Sequence, residues 1–244
     1  MKIAALSDIH GNLAALNAVL DDIQRQGADV IVNLGDIVSC PLYPAETADR
    51  LIPLGLPTIG GNHDRQLLAA DPSRMEPSDR FAHDALHSEQ LTWVQRLPIS
   101  LRFEDDVLLV HGTPQDDQSY FLETVTESGC RVATHGEVRR RAGDIEATLI
   151  LCGHTHLQRW MKLGDGRLIV NPGSVGLQAY GYARPFPHRM EMGSPRARYA
   201  TVTRTQFDWE VEFRSVEYDW NDVANCAALN GRSDWETVLR TGYC

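Results

Sequence analysis

Five short apolar runs in this chain each end in aspartate, asparagine or histidine. "KIAAL" (2–6) leads into Asp8 and His10, and "DVIVNLGD" (29–36) closes on Gly35 and Asp36. "LPTIGGNHD" (56–64) closes on Asn62, His63 and Asp64, "DVLLVHG" (106–112) on His111, and "LILCGHTH" (149–156) on His154 and His156. Apolar runs of this length, bounded by glycine, read as buried strands. Helical spacing separates the first two: Leu13, Leu16, Leu20 and Ile23 lie within 12–27, with Asn12 as cap and Gly27 as stop. In open α/β sheets, ligands collect outside the carboxyl ends of the strands. The fold must therefore gather five polar strand ends onto one site.

The rest of the chain fills in that frame. "PAETADRLIPL" (44–54) places Pro44 at a first helical turn. Residues 66–98 read as helix in pieces, interrupted by Pro72, Pro77 and Pro98, and a further helix is expected near 135–142. "RLIVNPG" (167–173), "RYATVT" (198–203) and "DWEVEFRSVEYD" (208–219) read as strands, followed by helices to the end. Segment 178–198 is rich in glycine, proline and arginine and reads as a long loop. There is no internal repeat and no clear linker. The expectation is one α/β domain over 1–244, with the 66–98 helical insertion and the 178–198 loop at the rim of the site.

Aspartate, histidine and asparagine without thiolates form a nitrogen–oxygen donor set. It suits divalent ions such as Mn, Fe, Zn, Co or Ni. Asp8, His10, Asp36, Asn62, His111, His154 and His156 exceed what one tetrahedral ion needs. They suffice for two ions sharing a carboxylate, about 3.5–4 Å apart, able to clamp a phosphoryl group. Taken singly, "DIH", "GD", "GNHD" and "GHTH" are ordinary turns. Their joint occurrence, each after an apolar run, is what favours the metal site.

A net charge of −10 disfavours general nucleic-acid or anionic-membrane binding. It leaves room for a small phosphorylated substrate held by local positive charge. Five cysteines, without a C-x-x-C pair, argue against a disulfide framework and suit a reducing cytosol. "MKIAALSDIHGN" is too short in its apolar stretch for a signal peptide, and no run approaches the roughly 20 residues of a membrane helix. The expected location is cytoplasmic.

Together "DIHGN" (8–12), "GD" (35–36), "GNHD" (61–64), "HG" (111–112) and "GHTH" (153–156) resemble the five-block signature of the calcineurin-like metallophosphoesterases. "NPGSVG" (171–176) extends the likeness toward the small bacterial phosphodiesterases of that family. The resemblance implies a four-layer αββα sandwich with two mixed central sheets and a dinuclear metal centre. Asp8, His10, Asp36 and His156 would hold one ion, and Asp36, Asn62, His111 and His154 the other, with Asp36 shared. A hydroxide between the ions would attack phosphorus. His63 would contact the phosphate and protonate the leaving oxygen, a role suited to a group that titrates near neutrality.

One departure matters. The protein phosphatases of the family carry an Asp-Arg pair shortly after "GD", but "GDIVSCPLYPAET" (35–47) has no arginine. The phosphate-clamping arginine and the acid that would support His63 are both expected to be missing. That favours a phosphodiesterase, with a phosphomonoesterase or nucleotide phosphatase as the alternative. A DNA nuclease is opposed by the charge, and a non-catalytic scaffold, like the retromer subunit of this fold, by the intact donor set.

Other residues keep open readings. Cys40 is expected to be a buried or near-site thiol. His83 and His87 have i, i+4 spacing on one expected helix, without an evident third ligand. His135 is expected near a helix start, and Arg139 to Arg141 on a solvated face. Asp117, Tyr120 and Phe121 either shape the pocket or sit in an ordinary loop. Arg184, His188, Arg189, Arg196 and Arg198, among Tyr180, Tyr182 and Phe186, could hold a base or phosphate, be solvated, or form an oligomer contact.

Overall fold

The computed structural model describes residues 1–69 and 71–244; Ala70, within the expected 66–98 insertion, lies outside the described residues. The chain begins with β1 (Lys2–Leu6), α1 (Leu13–Gln26), β2 (Val30–Asn33) and α2 (Pro44–Leu51). Three short helices follow, α3 (Asn62–Gln66), α4 (Pro77–Ala85) and α5 (Ser88–Gln95), then β3 (Ser100–Phe103) and β4 (Val107–Val110). The hairpin β5 (Glu123–Thr126) and β6 (Gly129–Val132) precedes α6 (His135–Ala142), β7 (Leu149–Leu151), β8 (Gln158–Lys162) and β9 (Leu168–Pro172). A second hairpin, β10 (Ala179–Tyr182) and β11 (His188–Glu191), leads to β12 (Ala197–Arg204), β13 (Trp209–Val216), α7 (Trp220–Leu229) and α8 (Ser233–Thr241).

Two mixed sheets form the centre, in the orders β13-β12-β1-β2 and β3-β4-β7-β9-β8. β1 runs parallel to β2 and antiparallel to β12, while β4, β7 and β9 are mutually parallel. Side chains alternate faces along a strand. Ile3 and Ala5 therefore meet Val32, Val107, Leu109, Leu149, Leu151 and Val170 between the sheets, while Ala4 and Leu6 turn outward against Leu16 and Val19 of α1. On the far side, Leu108, Val110, Ile150 and Ile169 pack against Val138 and Ala142 of α6. The layers are thus α, β, β, α. Strands that bury both faces need continuous apolar runs rather than alternation, which is the pattern of 2–6, 107–110 and 149–151.

α1 begins where expected: the Asn12 side chain accepts from Ala15 N, and Gly27, at φ 65°, closes the helix. Losing such a cap costs about 1 kcal/mol. A fourth apolar cluster joins α7 and α8, through Val223, Ala227, Trp235 and Leu239, to Cys40, Leu42, Leu177 and Ala179.

Three expectations need correcting. Residues 56–64 make one bridge, Asn33 to Thr58, and then enter α3. Asn33 takes both bonds of that bridge, from its N–H to Pro57 O and from Ile59 N–H to its own O, and the Gly60–Gly61 pair ends the extended stretch. Within 178–198, the expected long loop is largely the β10–β11 hairpin; its glycines and prolines fall mostly at the bends, while Tyr180 pairs with Met190 and Tyr182 with His188 across it. His83 and His87 do not share a helix. α4 stops at Ala85, Leu86 is extended with ψ 137°, and His87 precedes α5 as its cap.

Candidate metal centre

Each predicted donor follows a strand or turn whose backbone is tied to its neighbours. Asp8 N–H donates to Gly35 O and His10 N–H to Asp36 O, both at 3.0 Å. Gly153 N–H donates to His111 O at 2.8 Å, and Gly176 N–H to Asp8 O at 3.0 Å. These bonds run between the post-strand loops and fix them to one another. They also hold strain. Among the described residues, six that are not glycine have positive φ, and five of them are Asp8, His10, Asp36, His154 and His156. An L-residue in the left-handed region costs about 1–3 kcal/mol. That cost is concentrated on the chemical groups, where the turn aims side chains that a relaxed backbone would send elsewhere.

The imidazoles are oriented from outside. His10 Nδ1 donates to Ser39 O at 2.9 Å, His111 Nδ1 to Leu34 O at 2.7 Å, His156 Nδ1 to Leu177 O at 2.6 Å and His154 Nε2 to Gln118 O at 2.9 Å. A carbonyl only accepts, so each bonded nitrogen carries the proton and the other nitrogen of a neutral ring is a lone pair. Those lone pairs converge. His10 Nε2 and His156 Nε2 are 3.3 Å apart, His156 Nε2 is 3.3 Å from Asp8 Oδ1, and His111 Nε2 is 3.1 Å from Asp36 Oδ2. Acceptors facing acceptors repel unless a proton or a cation lies between them. Asp8 Oδ1, Asn62 Oδ1 and His111 Nε2 are also buried without a hydrogen-bond partner. Buried polar atoms are normally paired. These residues fit divalent cations, and the carbonyl-anchored rings match the way ligating histidines are usually held.

The donors fall into two groups: Asp8 with His10 and His156, and Asp36 with His111 and His154. His154 and His156, two residues apart, thus belong to different groups. Electrostatics follow from this crowding. Burial works against ionising Asp36, but His111 and His63 outweigh it and hold the carboxyl well below the usual range. Burial likewise opposes charging His111, yet Asp36 raises its pKa to about 10, so a proton on Nε2 is the alternative to a cation between these two groups. His10 and His154 are both pushed down to about 4, by burial and then by His156 and His111 respectively.

His63 lies beside the two groups. Its backbone N–H donates to Asp36 Oδ1 at 2.9 Å, and its Nδ1 meets Asp79 Oδ1 at 2.8 Å. Burial lowers its pKa, but Asp36 and then Asp79 prevail and raise it to about 9. This corrects the expectation that His63 lacks a supporting acid. The acid comes from α4 rather than from the segment after Asp36, and Ser39 Oγ donates to the same Asp79 oxygen at 2.5 Å. The neighbouring Asp64 carboxylate accepts from Asp36 N and Ile37 N, at 2.8 and 3.0 Å, and from Gly61 N at 3.0 Å, so the motif's last acid fastens two loops.

Aromatic residues wall the centre. Tyr120 lies against the His154 ring and Tyr180 against the His156 ring, at 5.1 and 4.8 Å between centroids. Tyr180 Oη is 3.0 Å from Tyr120 Oη and 3.1 Å from His154 O, and Tyr120 Oη is 2.9 Å from His188 Nε2. His188 Nδ1 donates to Phe186 O, so Tyr120 is the donor to Nε2. Of the open loop residues, Tyr120 lines the site, Phe121 is buried in the core, and Asp117 forms a two-bond ion pair with Arg65. Arg196 pairs with Glu217 and Arg198 donates to Gln158, so these two arginines are held by neighbouring side chains, while Arg184 and Arg189 stay exposed. Cys40 is a buried free thiol whose Sγ accepts from Leu42 N, and it joins neither donor group. His135 opens α6, and Arg141, unlike Arg139 and Arg140, turns inward to Phe121 O and Glu123 O. Asp79 and Trp235 were not singled out from sequence. An acid just after Pro77 looks like an ordinary first-turn helix residue, and nothing local ties it to His63.

An αββα sandwich with such a donor set at its strand ends defines a metal-dependent phosphoric ester hydrolase. The chain belongs to the calcineurin-like phosphoesterase superfamily, whose domain matches residues 1–185. It is similar along its length to the crystal structure of a metallophosphoesterase from Sphaerobacter thermophilus, with a TM-score of 0.73, 25% identity and 98% of both chains covered. It is also 26% identical over 248 residues to an uncharacterized protein of Methanocaldococcus jannaschii, covering 96% of this chain and 94% of that one. No described helix is long and apolar enough to cross a membrane.

Proposed function

We propose that the protein is a dinuclear metal-dependent phosphodiesterase acting on a small phosphorylated substrate. The observation that carries this reading is the division of His154 and His156 between two donor groups, with the Asp36 carboxylate beside both the His111 and His63 sides of the site. In the proposed assignment, Asp8, His10, Asp36 and His156 hold one divalent ion; Asp36, Asn62, His111 and His154 hold the second. Bound there, two such ions would polarise the phosphoryl oxygens and supply an activated water at neutral pH.

The chain's own residues do the remainder. Asp36 contributes the shared negative charge, and its Oδ1 fixes the His63 backbone. His63 directs Nδ1 to Asp79, which leaves Nε2 to donate toward a leaving oxygen. His63 stays 31% exposed while Asp79 is only 1% exposed, so substrate can reach the acid but water cannot reach its partner. The diester preference rests on the absence of arginine between 35 and 47. A dianionic monoester gains more from added positive charge than a monoanionic diester does. The chain is read as one domain because the α7–α8 cluster packs directly on the loops that follow Asp36 and the "NPGSVG" turn.

The test is reconstitution with Mn²⁺, followed by parallel assays on bis(p-nitrophenyl) phosphate and p-nitrophenyl phosphate, with metal counted per chain. The expected result is metal-dependent turnover favouring the diester and a count near two. Preferential monoester turnover would move the assignment to a phosphomonoesterase. Absence of any metal-dependent turnover would sink it.

A further inference from the structure

The last segment of the chain, beyond the superfamily match, reaches the site at two points. Trp235, on α8, sets its ring edge-on to His10 with centroids 5.9 Å apart and planes at 81°. Arg232, immediately before α8, donates from Nη1 to Ser78 Oγ at 2.8 Å. Ser78 precedes Asp79, the partner of His63, in the first turn of α4. The Arg232 guanidinium is itself fixed: Nε and Nη2 grip the Asp234 carboxylate at 2.9 and 2.7 Å, and the group lies 5.6 Å from the Trp235 ring centre.

We infer that Arg232 is a positioning residue for the acid His63, acting through Ser78 and Asp79, so that the α7–α8 pair is a working wall of the site. α4 is short, nine residues, and is preceded by a 3₁₀ turn at Pro72–Arg74. A helix of two and a half turns has little rigidity of its own. Its buried face is limited to Ser78, Asp79 and Ala82. Something must therefore set where its first turn sits, and a planar guanidinium braced by a carboxylate and an aromatic ring is a stiff donor for that purpose. The path is short and directional: Arg232 fixes Ser78, the adjacent Asp79 receives His63 Nδ1, and Nε2 is thereby aimed. Trp235 closes the same corner by covering the His10 ring. Only Arg232 and Ser78 are assigned this role, since neither belongs to the donor set.

The inference rests on the proposed hydrolysis and on His63 acting as an acid, and it is tested separately from them. General-acid help matters most for a poor leaving group. Arg232→Ala, Arg232→Lys and Ser78→Ala would be assayed on an alkyl phosphodiester and on bis(p-nitrophenyl) phosphate, with metal content measured alongside. The expected result for Arg232→Ala and Ser78→Ala is a drop in kcat on the alkyl diester roughly 10-fold larger than on the p-nitrophenyl diester, since small misplacements of a reacting group cost factors of this order. KM and metal content would stay near wild type, and Arg232→Lys would recover part of the loss. Equal losses on both substrates, or none on either, overturn the inference. Should Arg232→Ala fail to fold, Ser78→Ala decides, because it keeps the Arg232–Asp234 pair and the Trp235 stack. If the wild-type protein itself shows no metal-dependent hydrolysis, it is the proposed function that fails.

Discussion

Asp79 Oδ1 stands 2.8 Å from His63 Nδ1, although 16 residues separate them and the acid belongs to a different helix. A carboxylate in that position selects the tautomer of the imidazole and stabilises its charged form. Asp79→Asn is expected to lower kcat about 10²-fold or more on diesters with poor leaving groups, within the usual range for general-acid catalysis. The sign of the pH effect follows from the cause. Asp36 and Asp79 both raise the His63 pKa; cations on Asp36 would offset its share and leave that of Asp79, so an acid role is available below the raised pKa and lost as pH rises through it. Removing one of the two carboxylates lowers the pKa, and the basic limb of the kcat profile should move to lower pH. A limb that stays in place would show that another group sets it.

The bridging role proposed for Asp36 gives a second expectation. Asp36→Asn keeps the shape of the side chain but removes the charge proposed to serve both donor groups. Metal affinity should fall at least roughly 100-fold, beyond what loss of an outer-shell partner costs. The count per chain, by elemental analysis after dialysis, is expected to drop below two together with turnover. Full retention of metal would remove Asp36 from its proposed role.

Gly61 tests the tightness of the same corner. A Cβ on Gly61 would lie 2.2 Å from Asp36 Oδ1 and 2.6 Å from Asp36 N. Neither atom can give way, because Asp64 holds the Asp36 backbone and His63 N holds Oδ1. Gly61→Ala is expected to cost about 1–3 kcal/mol, as overpacking does. The denaturant midpoint measures it. An unshifted midpoint with normal activity would mean that the corner is slack.

Metal should also stabilise the fold. Facing lone pairs at His10 and His156, and Asp8 Oδ1 and Asn62 Oδ1 left without hydrogen bonds, are costly arrangements that a cation relieves. At an ion concentration of about 100 times Kd, one binding site adds roughly 2.7 kcal/mol. Tm is expected to rise with Mn²⁺ and to fall again with a chelator. A Tm indifferent to both would argue against cation binding at these residues.

How much of this was legible in one dimension depends on the range of the interactions. α1 was readable because its cap, stop and apolar spacing are all local: Asn12, Gly27, Leu16 and Ile23 lie within one segment. The candidate donors stood out because they cluster just after the apolar runs, Asp8 and His10 after 2–6 and His154 and His156 after 149–151. The 56–64 stretch misled because it has the composition of a strand, but Asn33 supplies both bonds of a single bridge and no ladder forms beyond it. His83 and His87 misled because the helix break at Leu86 carries no glycine or proline. The hairpin within 178–198 was hidden by residues that favour turns, since its cross-strand pairs, Tyr180 with Met190 and Tyr182 with His188, become visible only once the strands are side by side.

The sequence by itself determined which candidate donors are present after its apolar runs: aspartate, histidine and asparagine, with no thiolate among them. Residue type and adjacency are enough for that, because an apolar run ending in a polar cluster has few stable placements. The resemblance already implied different groups for His154 and His156, and the fold separates them so. The other partnerships only the tertiary structure decided: it brought Asp79 from α4 to His63. It also set Tyr180 against His156 and placed Arg232 and Trp235 at a corner of the site built some 150 to 220 residues earlier in the chain. Those contacts are made by side chains far apart in sequence, and their geometry depends on how whole sheets and helices pack rather than on any neighbouring residue.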